Sequence, residues 1–237
     1  SRTSSRLISH FGAMTVNEVG ITQNGPITQE AAAGAATFNS GAGAIVLTDP
    51  GNDFTGPVSL NTGADASVVD SNAIDLGNSM VGGNLAVTAS GNITESGLLT
   101  VAGTSTFTVD TAQNADVWLA PDPPYPPGPT DHANNLAGAV TITTVNGGTI
   151  RDIGLRNISP TASLAGVPPV ARNWTIIFDN APVKLPVTTL SLNTNGVGGN
   201  LVVLGNGRTE FDGAILRSIH LHGKKSRSRA CLSTGDS

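Results

Sequence analysis

Apolar residues in this chain fall in pairs two positions apart, with polar or small residues between them. Val58/Leu60, Ile74/Leu76, Leu85/Val87, Leu99/Val101, Phe107/Val109, Val117/Leu119, Val140/Ile142, Ile176/Phe178, Leu190/Leu192 and Leu201/Val203 all follow this rule. In an extended strand, residues i and i+2 point to the same side, so each pair predicts a short strand with one buried face. Between the pairs lie phrases such as "NTGAD", "SGN", "TNG" and "NGG", whose residues tolerate tight turns and positive φ. No window shows an apolar stripe of helical period with caps, so no long helix is predicted.

The pattern also repeats over long distances. "AIDLGNSMVGGNLAVTASGN" (73–92) aligns without a gap on "TLSLNTNGVGGNLVVLGNGR" (189–208), so that Gly82, Gly83 and Asn84 recur as Gly198, Gly199 and Asn200. "ITQNGPIT" (21–28) matches "ITESGLLT" (93–100), and at the same offset "AIVL" (44–47) matches "DVWL" (116–119). "GNDFTGPVSL" (51–60) matches "ANNLAGAVTI" (133–142) at a longer offset. A proline-rich insertion, residues 120–133, accounts for the difference. Insertions that leave a repeat otherwise intact are typical of stacked architectures, where they emerge from one turn.

Strands this short cannot bury themselves, but many of them stacked in series can enclose a continuous apolar axis. The chain is therefore expected to be all-β, a parallel β-helix or β-solenoid. An antiparallel sandwich also uses regularly spaced short strands, but it does not require residue patterns to recur over long offsets. Both copies of the "VGGNL" phrase are expected to form the same turn and strand at one place in the coil.

Composition narrows the function. Only 12% of the residues are charged and 4% aromatic, against 29 glycines. No Lys or Arg occurs between Arg6 and Arg151, while that stretch holds twelve acids. An acidic body has no electrostatic attraction for nucleic acid or anionic membrane. The single cysteine, Cys231, excludes an internal disulfide. No apolar run approaches the roughly 20 residues that span a bilayer as a helix. The opening "SRTSSRLISHFGAM" has no signal-peptide core and begins with serine, so the chain reads as an internal piece of something longer.

The phrases "ITESGLLTVAGTSTF", "GNDFTGPVSL", "NAIDLG" and "VGGNLAVTASGNITE" resemble the degenerate repeats of filamentous-haemagglutinin-like and autotransporter-type bacterial surface proteins. The resemblance covers about residues 20–206. It implies a right-handed β-helix, export from a Gram-negative bacterium and a role in adhesion or surface structure. It supplies no catalytic motif to carry over.

Candidate chemistry is sparse. Asp49, Asp53, Asp65, Asp70, Asp75 and Asp116 carry calcium-type oxygens, but they fall near turns, where aspartate bonds to local backbone and stays solvated. "TIRDIGLR" holds a mixed cluster, Arg151, Asp152 and Arg156, read as surface ion pairing. A carbohydrate-active β-helix enzyme would need three or more carboxylates and an arginine converging on one groove. His10, His132, His220 and His222 show no ligand spacing, and His220/His222 with Cys231 make a weak metal set. "APDPPYPPGP" (120–129) is a stiff, exposed loop that could dock a partner. The "TITT" at 141–144 would suit ordered water only if threonines repeated on every coil in register.

The sequence thus predicts a poorly defined lead-in at 1–19, a solenoid domain at 20–207 with the insertion at 120–133, and an atypical basic tail at 208–237. The expected function is a non-catalytic structural and adhesive stalk, secreted or on the bacterial outer surface, with no catalytic residue, cofactor or metal assigned. The alternatives are a carbohydrate-active β-helix enzyme of the polysaccharide lyase or hydrolase type and an inert structural repeat with no ligand of its own. Surface glycans or proteins of a host or neighbouring cell are its expected partners, nucleic acid is not, and contact with a membrane would run only through domains outside this segment.

Overall fold

The strands come in threes because each coil turns three corners. A computed structural model of the chain describes residues 7–9, 12–119, 133–185, 201–205 and 210–211. After β1 (Leu7–Ser9), the first full coil is β2 (Met14–Asn17), β3 (Ile21–Thr22) and β4 (Ile27–Gln29). The second has β5 (Ala36–Gly41) and β6 (Ile45–Leu47), its third side closing through a bridge between Thr28 and Asp53. The third is β7 (Val58–Thr62), β8 (Ala66–Asp70) and β9 (Ile74–Leu76), and the fourth β10 (Ser79–Val81), β11 (Leu85–Ala89) and β12 (Ile93–Glu95). The fifth is β13 (Leu99–Val101), β14 (Ser105–Asp110) and β15 (Ala115–Leu119). The sixth is β16 (Asn135–Leu136), β17 (Ala139–Val145) and β18 (Ile150–Asn157). The seventh adds β19 (Ser163–Gly166) and β20 (Val170–Phe178), followed by β21 (Lys184–Leu185), β22 (Leu201–Gly205) and β23 (Glu210–Phe211).

Each strand pairs in parallel with the one a coil later. The second side is a 7-stranded sheet, one strand per coil, and the first and third sides join through β7 and β9 into a 12-stranded sheet. Among the described residues there is no helix. Over the described residues the fold is a parallel β-solenoid of about seven coils, as the spacing predicts. Val68 pairs with Val87 and Val87 with Phe107, so one coil takes about twenty residues. Phe107 next pairs with Ile142, the excess over one coil falling at the insertion.

Burial follows the pairs. β7, β8 and β14 alternate buried and partly exposed residues along their length. On the second side Leu47, Val68, Val87, Phe107 and Ile142 form one inward column, each at most 1% exposed. A strand buried on one face and hydrogen-bonded on both edges needs no disulfide to hold it.

The long sequence matches turn out to mean something different. Leu85 begins β11 on the second side, whereas Leu201 begins β22 on the third. Ile21 and Ile45 lie on the second side, but their counterparts Ile93 and Val117 lie on the third. Val58 lies on the first side and Val140 on the second. The expectation of one fixed place in the coil is therefore corrected: each match is displaced by one side. All three sides ask for the same thing, two inward apolar residues and a corner, so the phrase encodes a side rather than a coil. The second copy's turn, residues 195–200, lies outside the described residues.

Glycines at the corners also serve differently from expectation. Gly82 and Gly83 do not have positive φ. A Cβ on Gly82 would lie 2.5 Å from the carbonyl oxygen of Gly63, and one on Gly83 2.8 Å from the carbonyl carbon of Ala64. They are required by the close approach of the coil beneath. "NGG" after β17 does use positive φ, at 50° for Asn146 and 82° for Gly147.

The stack is already under way within the segment read as lead-in, since β2 pairs with β5 from Met14↔Ala36 to Asn17↔Asn39. In the segment read as a tail, Glu210 and Phe211 pair with Lys184 and Leu185.

Candidate functional site

The third side concentrates the chain's described ion pairs because its outward positions carry both acids and arginines, whereas those of the second side carry only Asp110 among the described residues. Register places Asp75, Thr94, Trp118, Gly154 and Thr175 in one outward column. Beside it run Asp116, Asp152 and Asn173, with a bulge between Ala115 and Asp116 and another between Ile150 and Asp152. The bulges throw Arg151 and Arg172 outward beside the acids of the neighbouring coil.

Arg151 binds Asp116 through both Nε and Nη2, with Nε 2.9 Å from Oδ1, and its Nε also lies 3.4 Å from Asp152 Oδ2. Arg172 holds Asp152 in the same two-pronged way, with Nε 2.9 Å from Oδ1. The backbone N–H and the side-chain amide of Asn173 donate to that same oxygen at 3.0 and 2.9 Å. Burial alone would raise the Asp152 carboxyl, but the Arg172 guanidinium, the Asn173 N–H and Arg151 outweigh it and hold it below its ordinary range. Asp116 in turn raises Arg151, and Asp152 raises Arg172. Arg156 donates to Asp179 at 2.9 Å. The reading of Arg151, Asp152 and Arg156 as ion-paired is borne out, each with a partner on a neighbouring coil or, for Arg156, on the chain just beyond β20.

At the insertion's root lies a different arrangement. Glu95 ends β12 at an inward position, two residues after Ile93, and is half-buried. Its Oε1 accepts the Asn134 amide at 3.0 Å, while Oε2 is buried with no partner. Oδ1 of Asp75, one coil below, is likewise buried without a partner. Asn134, fully buried, also donates to Leu119 O and accepts from Leu99 N–H, so it ties both flanks of the insertion to the stack. Loss of solvation, set against the Asn134 hydrogen bond and reinforced by the charge of Asp75, pushes Glu95 up to about 8.

A raised folded value means that Glu95 holds its proton in the native state where the unfolded chain has released it. Stability from this group is therefore highest below the ordinary glutamate value, falls as pH rises from about 4.5 to about 8, and is level above. The melting temperature is expected to drop across that window, and Glu95→Gln, which keeps the oxygen facing Asn134, is expected to flatten the drop. Thermal unfolding of both proteins at pH 5, 7 and 9 checks this; identical slopes would sink it.

The six aspartates read as solvated turn residues divide. Asp49 accepts from Gly51 N–H, Asp53 from the Asn72 amide, and Asp65 from Asn84, all in exposed corners. Asp70 is a correction: it is fully buried and accepts from the N–H groups of Phe54 and Asn72. Burial pushes it up to about 6 despite those bonds, Asp53 adding to the rise. Asp75 and Asp116 are corrections too, since both sit on strands rather than in turns. Among the described residues no three acidic, histidine or cysteine side chains gather as a metal-binding group. His10, His132, His220, His222, Cys231 and the loop 120–129 lie outside the described residues.

The threonines of "TITT" are partly in register. Thr106 and Thr108 pair with Thr141 and Thr143, and Thr88 extends one column. Ala86, Val69 and Val46 interrupt the array, so it does not continue on every coil.

Sequence reasoning missed Glu95 and Trp118. The signal for Glu95 was its parity in "ITE", an acid at an inward position, and for Trp118 its outward parity between Val117 and Leu119.

The family described as Repeats of unknown function (DUF5649) matches in two consecutive copies, residues 2–61 and 63–123. The chain belongs to this repeat family. Each DUF5649 copy is about three coils long, so the family repeat groups several turns of the solenoid. No curated protein and no solved structure matches the chain.

Proposed function

We propose that this DUF5649 solenoid is a structural and adhesive stalk segment of an exported bacterial surface protein, of the filamentous-haemagglutinin-like or autotransporter type, and that it is not a catalyst. The observation that carries the reading is the direction of its polar chemistry. Asp116, Arg151, Asp152 and Arg172 satisfy one another along the coil axis, and the second side presents hydroxyl and small side chains from coil to coil. Such surfaces suit contacts spread along a lateral face, with surface glycans or proteins of another cell as partners.

Fluorescent beads coated with the purified chain are expected to adhere to cell surfaces or to an immobilised glycan array. Absence of binding by a protein whose circular dichroism retains its strand signal overturns the adhesive part.

A second reading, a carbohydrate-active enzyme, is favoured by one observation. Four carboxylates and three arginines lie on the strands of the third side, and Glu95 beside Asp75 is a protonated acid next to a second carboxyl. All three arginines are engaged, Arg151 by Asp116, Arg172 by Asp152 and Arg156 by Asp179, which leaves no free cation among these described residues for developing negative charge. Release of reducing or unsaturated ends from soluble polysaccharides, lost in Glu95→Gln, would transfer the assignment to this reading.

A further inference from the structure

Trp118 is an aromatic ring on the outside of the solenoid, whereas the other aromatic side chains among the described residues are buried. Phe38, Phe54, Phe107, Trp174 and Phe178 are each at most 3% exposed, whereas Trp118 is partly exposed on the outward side of β15. Its indole lies across the next coil at Gly154. A Cβ on Gly154 would stand 2.6 Å from indole Cε3 and 2.7 Å from Cδ2, so only glycine lets the ring lie flat there. Glycine inside a strand weakens it and marks close approach of something to the backbone. Gly154 lies in the longest but one of the strands, in register with Trp118 below and Thr175 above.

The rim of this plate is polar but neutral. Asp116 and Arg151 lie at its lower edge and Asp152 and Arg172 at its upper edge, two acids and two bases that cancel pairwise. The Arg151 and Arg172 side chains remain 43% and 42% exposed. The plate therefore combines a flat apolar surface with exposed guanidinium donors and the partly exposed Asp116 carboxylate at its edge, and no net charge. A pyranose ring has the matching chemistry, with C–H groups on its face and hydroxyls around its rim. A charged ligand would have to break an ion pair to gain a partner. Aromatic plates with a few placed polar groups are how mostly apolar sites fix orientation.

We infer that Trp118, lying on Gly154 and edged by Asp116, Arg151, Asp152 and Arg172, is a binding platform for a pyranose unit of a neutral glycan. This deepens the adhesive reading and rests on it. Side chains along the face belong to successive coils, so the platform would accept an extended saccharide running along the solenoid axis.

The test uses the whole chain against cello-, chito-, xylo- and manno-hexaose and a proline-rich control peptide, by titration calorimetry and by acrylamide quenching of tryptophan fluorescence. At least one hexaose is expected to bind and to shield Trp118 from quencher, leaving the signal of buried Trp174 unchanged. Trp118→Ala should weaken that binding at least about tenfold, the scale of one aromatic contact, and Trp118→Phe should retain part of it. Arg151→Ala, which leaves the plate itself intact, should weaken it less. Binding unchanged in Trp118→Ala, binding only to the peptide, or a purely structural loss of melting temperature with saccharide affinity intact each overturns the platform. If no hexaose binds the wild type while coated beads still adhere to cells, the platform fails and the adhesive reading stands. If neither occurs, both fail.

Discussion

Phe107→Ala is expected to destabilise the solenoid by roughly 3–5 kcal/mol. The ring is completely buried in β14, in the inward column between Val87 and Ile142. Collapse of the neighbours into the vacancy is hindered, because parallel ladders hold the strands on both sides at fixed spacing. The loss should also be local in origin. In a stack where each coil touches only its neighbours, weakening one coil uncouples the coils before it from those after it. Urea unfolding should show a lower midpoint and a broader transition than the wild type, with hydrogen exchange accelerated first in β11, β14 and β17. A loss under about 1 kcal/mol would mean that the column is not close-packed.

Asn52→Ala should have a comparable effect, about 3 kcal/mol or more, although it removes almost no apolar contact. Asn52 is wholly buried at the corner that follows β6. Its Oδ1 accepts from Ile27 N–H at 2.9 Å, and its amide donates to Leu47 O and Val69 O, both at 3.1 Å. It also exchanges two hydrogen bonds with Gln23. One side chain thus stitches three successive coils. Alanine would strand a backbone N–H and two carbonyls away from water, at about 1–3 kcal/mol for each buried group left unpaired. Asn39 is the control. It also bonds between coils, to Asn17 and Asn61 at 2.7 and 2.9 Å, but on the outer surface. Water can replace those bonds, so Asn39→Ala should stay within about 0.5 kcal/mol. Thermal melts of the two variants side by side decide the matter; equal losses would place the stabilisation in the number of hydrogen bonds rather than in their burial.

Asn52 and Asn39 look alike in sequence, and this marks where reading by pattern stops. "GNDF" and "ANNL" place Asn52 and Asn134 in turn-like phrases, where asparagine ordinarily bonds to local backbone at the surface. Both are instead the polar centre of a corner whose neighbours come from other coils. Glu95 is similar. Its inward parity was visible in "ITE", but its partner Asn134 lies beyond the insertion, so no local window contained the pair. Trp118 and Gly154 are separated in the same way, and so are Asp116 and Arg151. Each contact depends on register across a coil, and the insertion at 120–133 lengthens that step in one place only.

The alternation of apolar residues determined by itself that this chain would be all-β, built of short strands with one inward face, and without long helices. Glycine- and asparagine-rich phrases determined where the corners fall, and the recurrence of those phrases pointed to a solenoid. These are local properties, written in the two-residue period of a strand and in the conformational freedom of a turn. Only the tertiary structure decided that a matched phrase is one side of a coil rather than a whole coil. It also decided that Gly82 and Gly83 answer to crowding rather than to positive φ, and that an outward tryptophan lies on a glycine between two neutralised ion pairs. The reason is physical. Strand, turn and parity are set by neighbours along the chain, whereas every polar contact that distinguishes this protein is set by the residues one coil above and below.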